Sequence, residues 1–178
     1  MKNTIKYLIL LIIYLVCGVN LQAQNYTFRN VVMSDGPSGL LVNAIYKDSE
    51  GFVWLGTDNC LDRFDGVKVR HYEFRGVDSG RKKRVNCITE TADNQLWVGN
   101  GIGLWRLNRA NGQLERIVPE KIDFAVNTLL PDGDILYIGT EKGLFIQKDG
   151  QLLQVLTDRN MLAACNRIMD LCLNEDKS

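Results

Sequence analysis

Three carboxylates, Asp58, Asp62 and Asp65, fall close together, and His71 follows on the same stretch. Grouped carboxylates beside a histidine can ligate a divalent cation or divide general-acid and general-base roles. The spacing fits neither use. A calcium loop needs Asp-x-Asp-x-Asp-Gly and a distant Glu, which this stretch lacks. His71 is the sole histidine, and no motif sets a Ser or Cys beside it, so it reads as a strand-surface residue. The three carboxylates read as turn and surface residues. Arg81-Lys82-Lys83-Arg84 is a basic run behind Ser79-Gly80; it reads as a solvated loop, or as a contact for an acidic glycan. Trp54, Trp97 and Trp105 could stack on sugar rings. The sequence holds no nucleophile elbow, phosphate loop or zinc spacing, so the expectation is no catalytic residue, no metal and no cofactor.

The elements that carry these residues come as a repeat. Gly51-Phe-Val-Trp54-Leu-Gly56-Thr57 leads into Leu61-Asp-Arg-Phe-Asp65-Gly66, and the pattern returns over residues 95–108 and 134–147. Trp54, Trp97 and Tyr137 hold one position of the repeat, and Gly56, Gly99 and Gly139 hold another. Asn43, Asn86 and Asn127 each precede a unit, with Asn166 opening a fourth. A period near 40 residues is that of a four-stranded propeller blade. Each unit contains four strand-like runs. In the first these are Ala44–Tyr46, Phe52–Gly56, Leu61–Phe64 and Val67–Phe74, separated by turn formers such as Asp48-Ser49-Glu50-Gly51 and Asp65-Gly66. Asn111-Gly112 and Asp149-Gly150 supply the corresponding hairpins in the later units. Such short connections make neighbouring strands antiparallel. The fold class is therefore all-β: propeller blades, about three of them with the start of a fourth, over approximately 41–83, 84–124, 125–163 and 164–178.

A residue that returns at blade period serves the packing between blades. Trp54, Trp97 and Tyr137 should therefore be buried at equivalent positions. Trp105 falls where the other units have Asp62 and Phe145, and is the tryptophan least tied to the core pattern. Cys60 falls where they have Gly103 and Gly143, so a left-handed backbone is expected at Cys60. Residues 158–172 contain helix formers, but the register makes their second half the first strand of the fourth blade.

The amino terminus has Lys2 and Lys6 ahead of an apolar run, Tyr7 to Val19, too short to span a bilayer as a helix. Leu21-Gln22-Ala23 then offers a cleavage site. Residues 1–23 are expected to be a secretory signal peptide, ahead of the alternative of lipidation at Cys17. The remaining chain has 19 basic and 21 acidic residues, a balance that attracts neither nucleic acid nor an anionic membrane. Cys60, Cys87, Cys165 and Cys172 show no metal or redox spacing and are expected to be free thiols, although export would permit disulfides.

The first unit, from Asn43 through Asp48, Gly51, Trp54, Gly56 and Thr57 to Asp65-Gly66, resembles the two-component regulator propeller repeat. That repeat fills the periplasmic sensor region of hybrid two-component histidine kinases in Bacteroides-type bacteria. Cys60, Asn100 and Tyr137 depart from its pattern. The resemblance implies an N-terminal periplasmic piece of a larger membrane-anchored receptor, whose further blades and kinase would lie downstream. It also implies an unknown periplasmic ligand, with an oligosaccharide as the candidate, and a dimer formed through the full receptor. On this reading the chain is not itself an enzyme, binds no nucleic acid, and should be loosely folded when isolated. The alternative is an exported propeller lyase or carbohydrate-binding module, because propellers host both.

Overall fold

The computed structural model describes residues 5–7, 36–77, 83–117, 122–155 and 167–174. The chain divides into two compact units, Met1–Val31 and Val32–Ser178. Of the first, only Ile5–Tyr7 are described, as an exposed helical turn. The expected signal peptide over residues 1–23 otherwise lies outside the described residues. No helix among the described residues is long and apolar enough to cross a membrane.

The second unit is all-β. Its twelve strands form three four-stranded antiparallel meanders. The first blade holds β1 (Val42–Lys47), β2 (Val53–Thr57), β3 (Leu61–Phe64) and β4 (Val69–Tyr72). The second holds β5 (Val85–Glu90), β6 (Leu96–Asn100), β7 (Gly103–Asn108) and β8 (Gln113–Ile117). The third holds β9 (Val126–Asp132), β10 (Ile135–Thr140), β11 (Gly143–Lys148) and β12 (Gln151–Gln154). Strands β1, β5 and β9 lie side by side, so the first strand of each blade is its innermost. Each of these strands carries a bulge near its start, between Val42 and Ala44, between Val85 and Cys87, and opposite Gly139-Thr140.

Alternation along the strands lets the second blade bury one apolar face against the first blade and the other against the third. Trp54, Leu61, Tyr72 and Phe74 of the first blade meet Ile88, Leu96, Val98, Trp105, Leu107 and Leu114 of the second in one buried cluster. Trp97, Leu104 and Ile122 meet Leu136, Ile138, Phe145 and Leu152 in the next. Trp54 and Trp97 are buried, whereas Tyr137 is only partly covered.

The recurring glycines keep the blades close. A Cβ on Gly99 would stand 2.5 Å from Cys87 Sγ and 2.6 Å from Val126 Cγ1, so the inner strand of the third blade needs that space. Gly56 sits the same way against Val85, and Gly139 against Ile168. Two asparagines fasten the junctions. Asn86 Nδ2 donates to Val126 O and Asn127 Nδ2 to Ile168 O, both at 2.8 Å. Asn43 Nδ2 is buried without a partner, and Asn166 lies outside the described residues. The chain beyond the third blade thus meets that blade at Ile168, whose N donates to Thr140 O at 2.8 Å. Residues 167–174 carry no regular strand.

Tyr137 is not buried as expected, and the strand expected in the second half of residues 158–172 is not formed over residues 167–172. Three further expectations are corrected. Trp105 is a core residue, 1% exposed, packed edge-on against Phe74 with ring centres 5.0 Å apart. Its indole N–H donates to Asn100 Oδ1 at 3.1 Å, so Asn100, a departure from the repeat, is the partner of Trp105. Cys60 has no left-handed backbone: among described non-glycine residues only Asn94 and Asp149 have positive φ. The Thr57 hydroxyl accepts from Cys60 N at 3.0 Å and donates to Cys60 O at 2.9 Å, closing that turn without the glycine geometry of Gly103 and Gly143. Asp62 is buried rather than a surface carboxylate.

Candidate functional site

Two places bring polar side chains together where neither blade packing nor a turn explains them fully. The first surrounds Asp62, on the face of the first blade turned away from the second. Its Oδ2 accepts from Ser38 N at 2.7 Å and Ser38 Oγ at 2.9 Å, and its Oδ1 is 2.8 Å from His71 Nδ1. A buried carboxylate is tolerable only with such partners. The carboxylate stands between serine and histidine. Ser38 Oγ is bonded to Asp62 and Thr57 Oγ1, not to the imidazole, so the histidine is not placed to take its proton. The arrangement ties the segment before β1 to β3 and β4. Asp58 and Asp65 take no part: Asp65 Oδ1 accepts from Val67 N and Lys68 N within its own turn, which holds its carboxyl below the usual range. No group of three metal-ligating residues occurs among the described residues.

The second place is a recess of about 480 Å³ beside the inner strands. Arg84, Asn86 and Gly101 border it from the second blade, Ala125, Asn127 and Glu141 from the third, and Arg167 and Met169 from the chain that follows. The fold positions these residues through the bulged starts of β5 and β9, where the inner strand of each blade begins. Gly101 N donates to Arg84 O and Glu141 N to Ala125 O, fixing both strand starts in the same way. Arg84 ends the basic run; Lys83 and Arg84 are the only members of that run among the described residues. The recess therefore offers two guanidinium groups, one carboxylate and asparagine amides: a set suited to an anionic or hydroxyl-rich ligand. Asn86 and Asn127 were legible from the repeat, but their role here is to clamp blades and border the recess. Arg84, Glu141 and Arg167 carry no repeat signature, and only the basic run pointed to Arg84.

Sequence reasoning also missed a polar joint between the first two blades. Asp48, read as a turn former, is buried; its Oδ1 accepts from Phe52 N and its Oδ2 from Trp54 Nε1, both at 2.8 Å. Thr91 Oγ1 accepts from Trp97 Nε1 at 3.1 Å in the second blade. An acceptor six residues before Trp54 and before Trp97 was the available signal. Arg109 then reaches from the second blade to Glu90 at 2.8 Å, Glu50 at 3.1 Å and Asp48 at 3.8 Å.

Burial shields the Cys60 and Cys87 thiols, whereas Cys172 is exposed. Cys60, Cys87 and Cys172 are free, and Cys165 lies outside the described residues. Burial pushes the Cys87 thiol up to about 12 and that of Cys60 upward as well.

Comparison with known proteins gives a consistent fold. Residues 36–59 match the two component regulator propeller family. Histidine kinase P4 of Formosa agariphila is 30% identical over 79 residues, which is 44% of this chain and 6% of that protein. Among solved structures, the extracellular domain of a protein described as the hybrid two component system BT4673 of B. thetaiotaomicron aligns over 72% of this chain and 18% of its own, with TM-score 0.60 and 21% identity. The corresponding domain of BT3049 aligns over 66% and 18%, with TM-score 0.56 and 21% identity. The chain thus spans less than a fifth of the length of each of these proteins.

Proposed function

We propose that this chain, which carries a two-component regulator propeller repeat, forms part of the extracellular ligand-sensing region of a hybrid two-component sensor. Its ligand is an oligosaccharide, received in the recess beside the inner strands. The chain is exported to the periplasm behind residues 1–23, and the kinase that reads the ligand belongs to a larger receptor. The observation that carries the reading is the coincidence of the repeat with a recess bordered by Arg84, Arg167, Asn86, Asn127 and Glu141. Carboxylate- or sulfate-bearing sugars suit two guanidinium groups, and hydroxyls suit amide and carboxylate partners.

Titration calorimetry of the chain against neutral, uronate-bearing and sulfated oligosaccharides tests this. An acidic oligosaccharide is expected to bind, and Arg84→Ala to weaken it at least tenfold, about 1.4 kcal/mol. Absence of binding across the panel, or equal affinity for the variant, would overturn the assignment.

A further inference from the structure

The joints between successive blades carry the same notch at their outer end, but only one is filled. Between the first and second blades, the turn Asp48–Gly51 faces Glu90 and Asn94, and the Arg109 side chain lies among them. It is ion-paired to Glu90 and Glu50, and its Nε donates to Asn94 O at 3.0 Å. Arg109 is the first residue after β7. Between the second and third blades, Thr91 and Asp93 stand where Asp48 and Glu50 stand in the first joint. Asp149 is the first residue after β11, where Arg109 would be. The arginine is thus replaced by a carboxylate, and Glu90 by Pro131. The result is an open recess of about 290 Å³, lined by Asp93, Trp97, Arg106, Asp134, Gln147 and Asp149 among others.

We propose that this recess receives a guanidinium cation, supplied as an arginine side chain of another protein. Three observations converge. The equivalent notch is filled by a guanidinium from within the chain. The lining is acidic in balance, because Asp93, Asp134 and Asp149 face Lys148 and Arg106, and Arg106 is already 3.4 Å from Glu115 and lies over the Trp97 ring. Gln147, which lines the recess, has a buried Oε1 that accepts no hydrogen bond. A buried acceptor left unpaired is costly, and an incoming donor relieves it. A guanidinium supplies up to five N–H donors in one plane and the positive charge that a neutral urea lacks. This site is separate from the oligosaccharide recess and does not depend on it.

The test is an NMR titration of the full chain with the blocked tripeptide acetyl-Gly-Arg-Gly-amide, with methylguanidinium, and with the citrulline counterpart of the peptide. The two guanidinium probes should shift the Trp97 indole N–H and the Gln147 side-chain amide, leaving the Trp54 indole unmoved. The citrulline peptide should bind at least tenfold more weakly. Asp134→Asn with Asp149→Asn should weaken the arginine peptide at least tenfold, and asparagine keeps the left-handed turn at position 149. Gln147→Leu, which removes the acceptor without adding a charge, should weaken it severalfold. Equal shifts from the citrulline peptide, or unchanged binding in both variants, would overturn the proposal. Methylguanidinium binding without peptide binding would refute a protein partner as the source.

Discussion

Replacing Arg109 by Ala should loosen the joint between the first and second blades. Arg109 is the cation for Glu90, whose side chain is 6% exposed, and lies 3.8 Å from Asp48, whose side chain is fully buried. Its pairing with Glu50 counts for little, because that carboxylate is half exposed and solvent screens it. Removing one partner of a buried pair costs about 3–5 kcal/mol. Two features lower the figure here. Arg109 is itself 26% exposed, and Glu90 keeps hydrogen bonds from Ser49 N and Oγ at 2.8 and 3.0 Å. The expected loss is about 2–3 kcal/mol, which for a chain of this size lowers Tm by roughly 4–12 °C. Thermal melts of the wild type, Arg109→Ala, Glu90→Gln and the double variant complete a cycle, with an expected coupling above about 1 kcal/mol. A Tm within about 1 °C of wild type, or no coupling to Glu90, would refute the view that this pair holds the joint.

Gly99→Ala should destabilise the chain by about 1–3 kcal/mol in urea melts, because the new methyl meets Cys87 Sγ and the Val126 side chain; a neutral effect would show that the blades can part at no cost. Alkylation at pH 8 should modify exposed Cys172 fastest, Cys60 more slowly and Cys87 slowest, following exposure and the raised thiols of the latter two; mass spectrometry of timed samples reads the order. The Asp65 carboxyl should titrate by NMR below the ordinary value of about 3.9, because backbone N–H groups of Lys68 and Val67 bond its charged form. A depressed folded value adds stability above the unfolded value, and this is lost as pH falls through the folded one. Asp65→Ala should therefore narrow its stability gap to wild type on acidification.

The blade period was legible because each position is constrained by the next blade as well as its own. Trp54 and Trp97 recur for packing, and Gly56, Gly99 and Gly139 for close approach of the following inner strand. Positions that depend on a particular partner were not legible. Asn100 looks like a defect in the repeat until Trp105 is seen donating to it. Cys60 looks strained because Gly103 and Gly143 have positive φ, yet the contact from Thr57 Oγ1 to Cys60 O, which Thr140 Oγ1 also makes to Gly143 O, forms here without a positive φ. Asp62 looks like a surface charge because nothing in its own strand announces Ser38 or His71 as partners. Similarly, the recess beside the inner strands joins residues from three successive stretches of chain, and the period alone names only Asn86 and Asn127 among them.

Hydrogen exchange with and without a bound acidic oligosaccharide tests the proposed sensing site most directly. The account predicts slowed exchange at Arg84–Cys87, Gly101, Ala125–Asn127 and Glu141, with the outer strands β4, β8 and β12 unchanged. Protection confined to those outer strands, or binding with no protection at the inner strands, would contradict it.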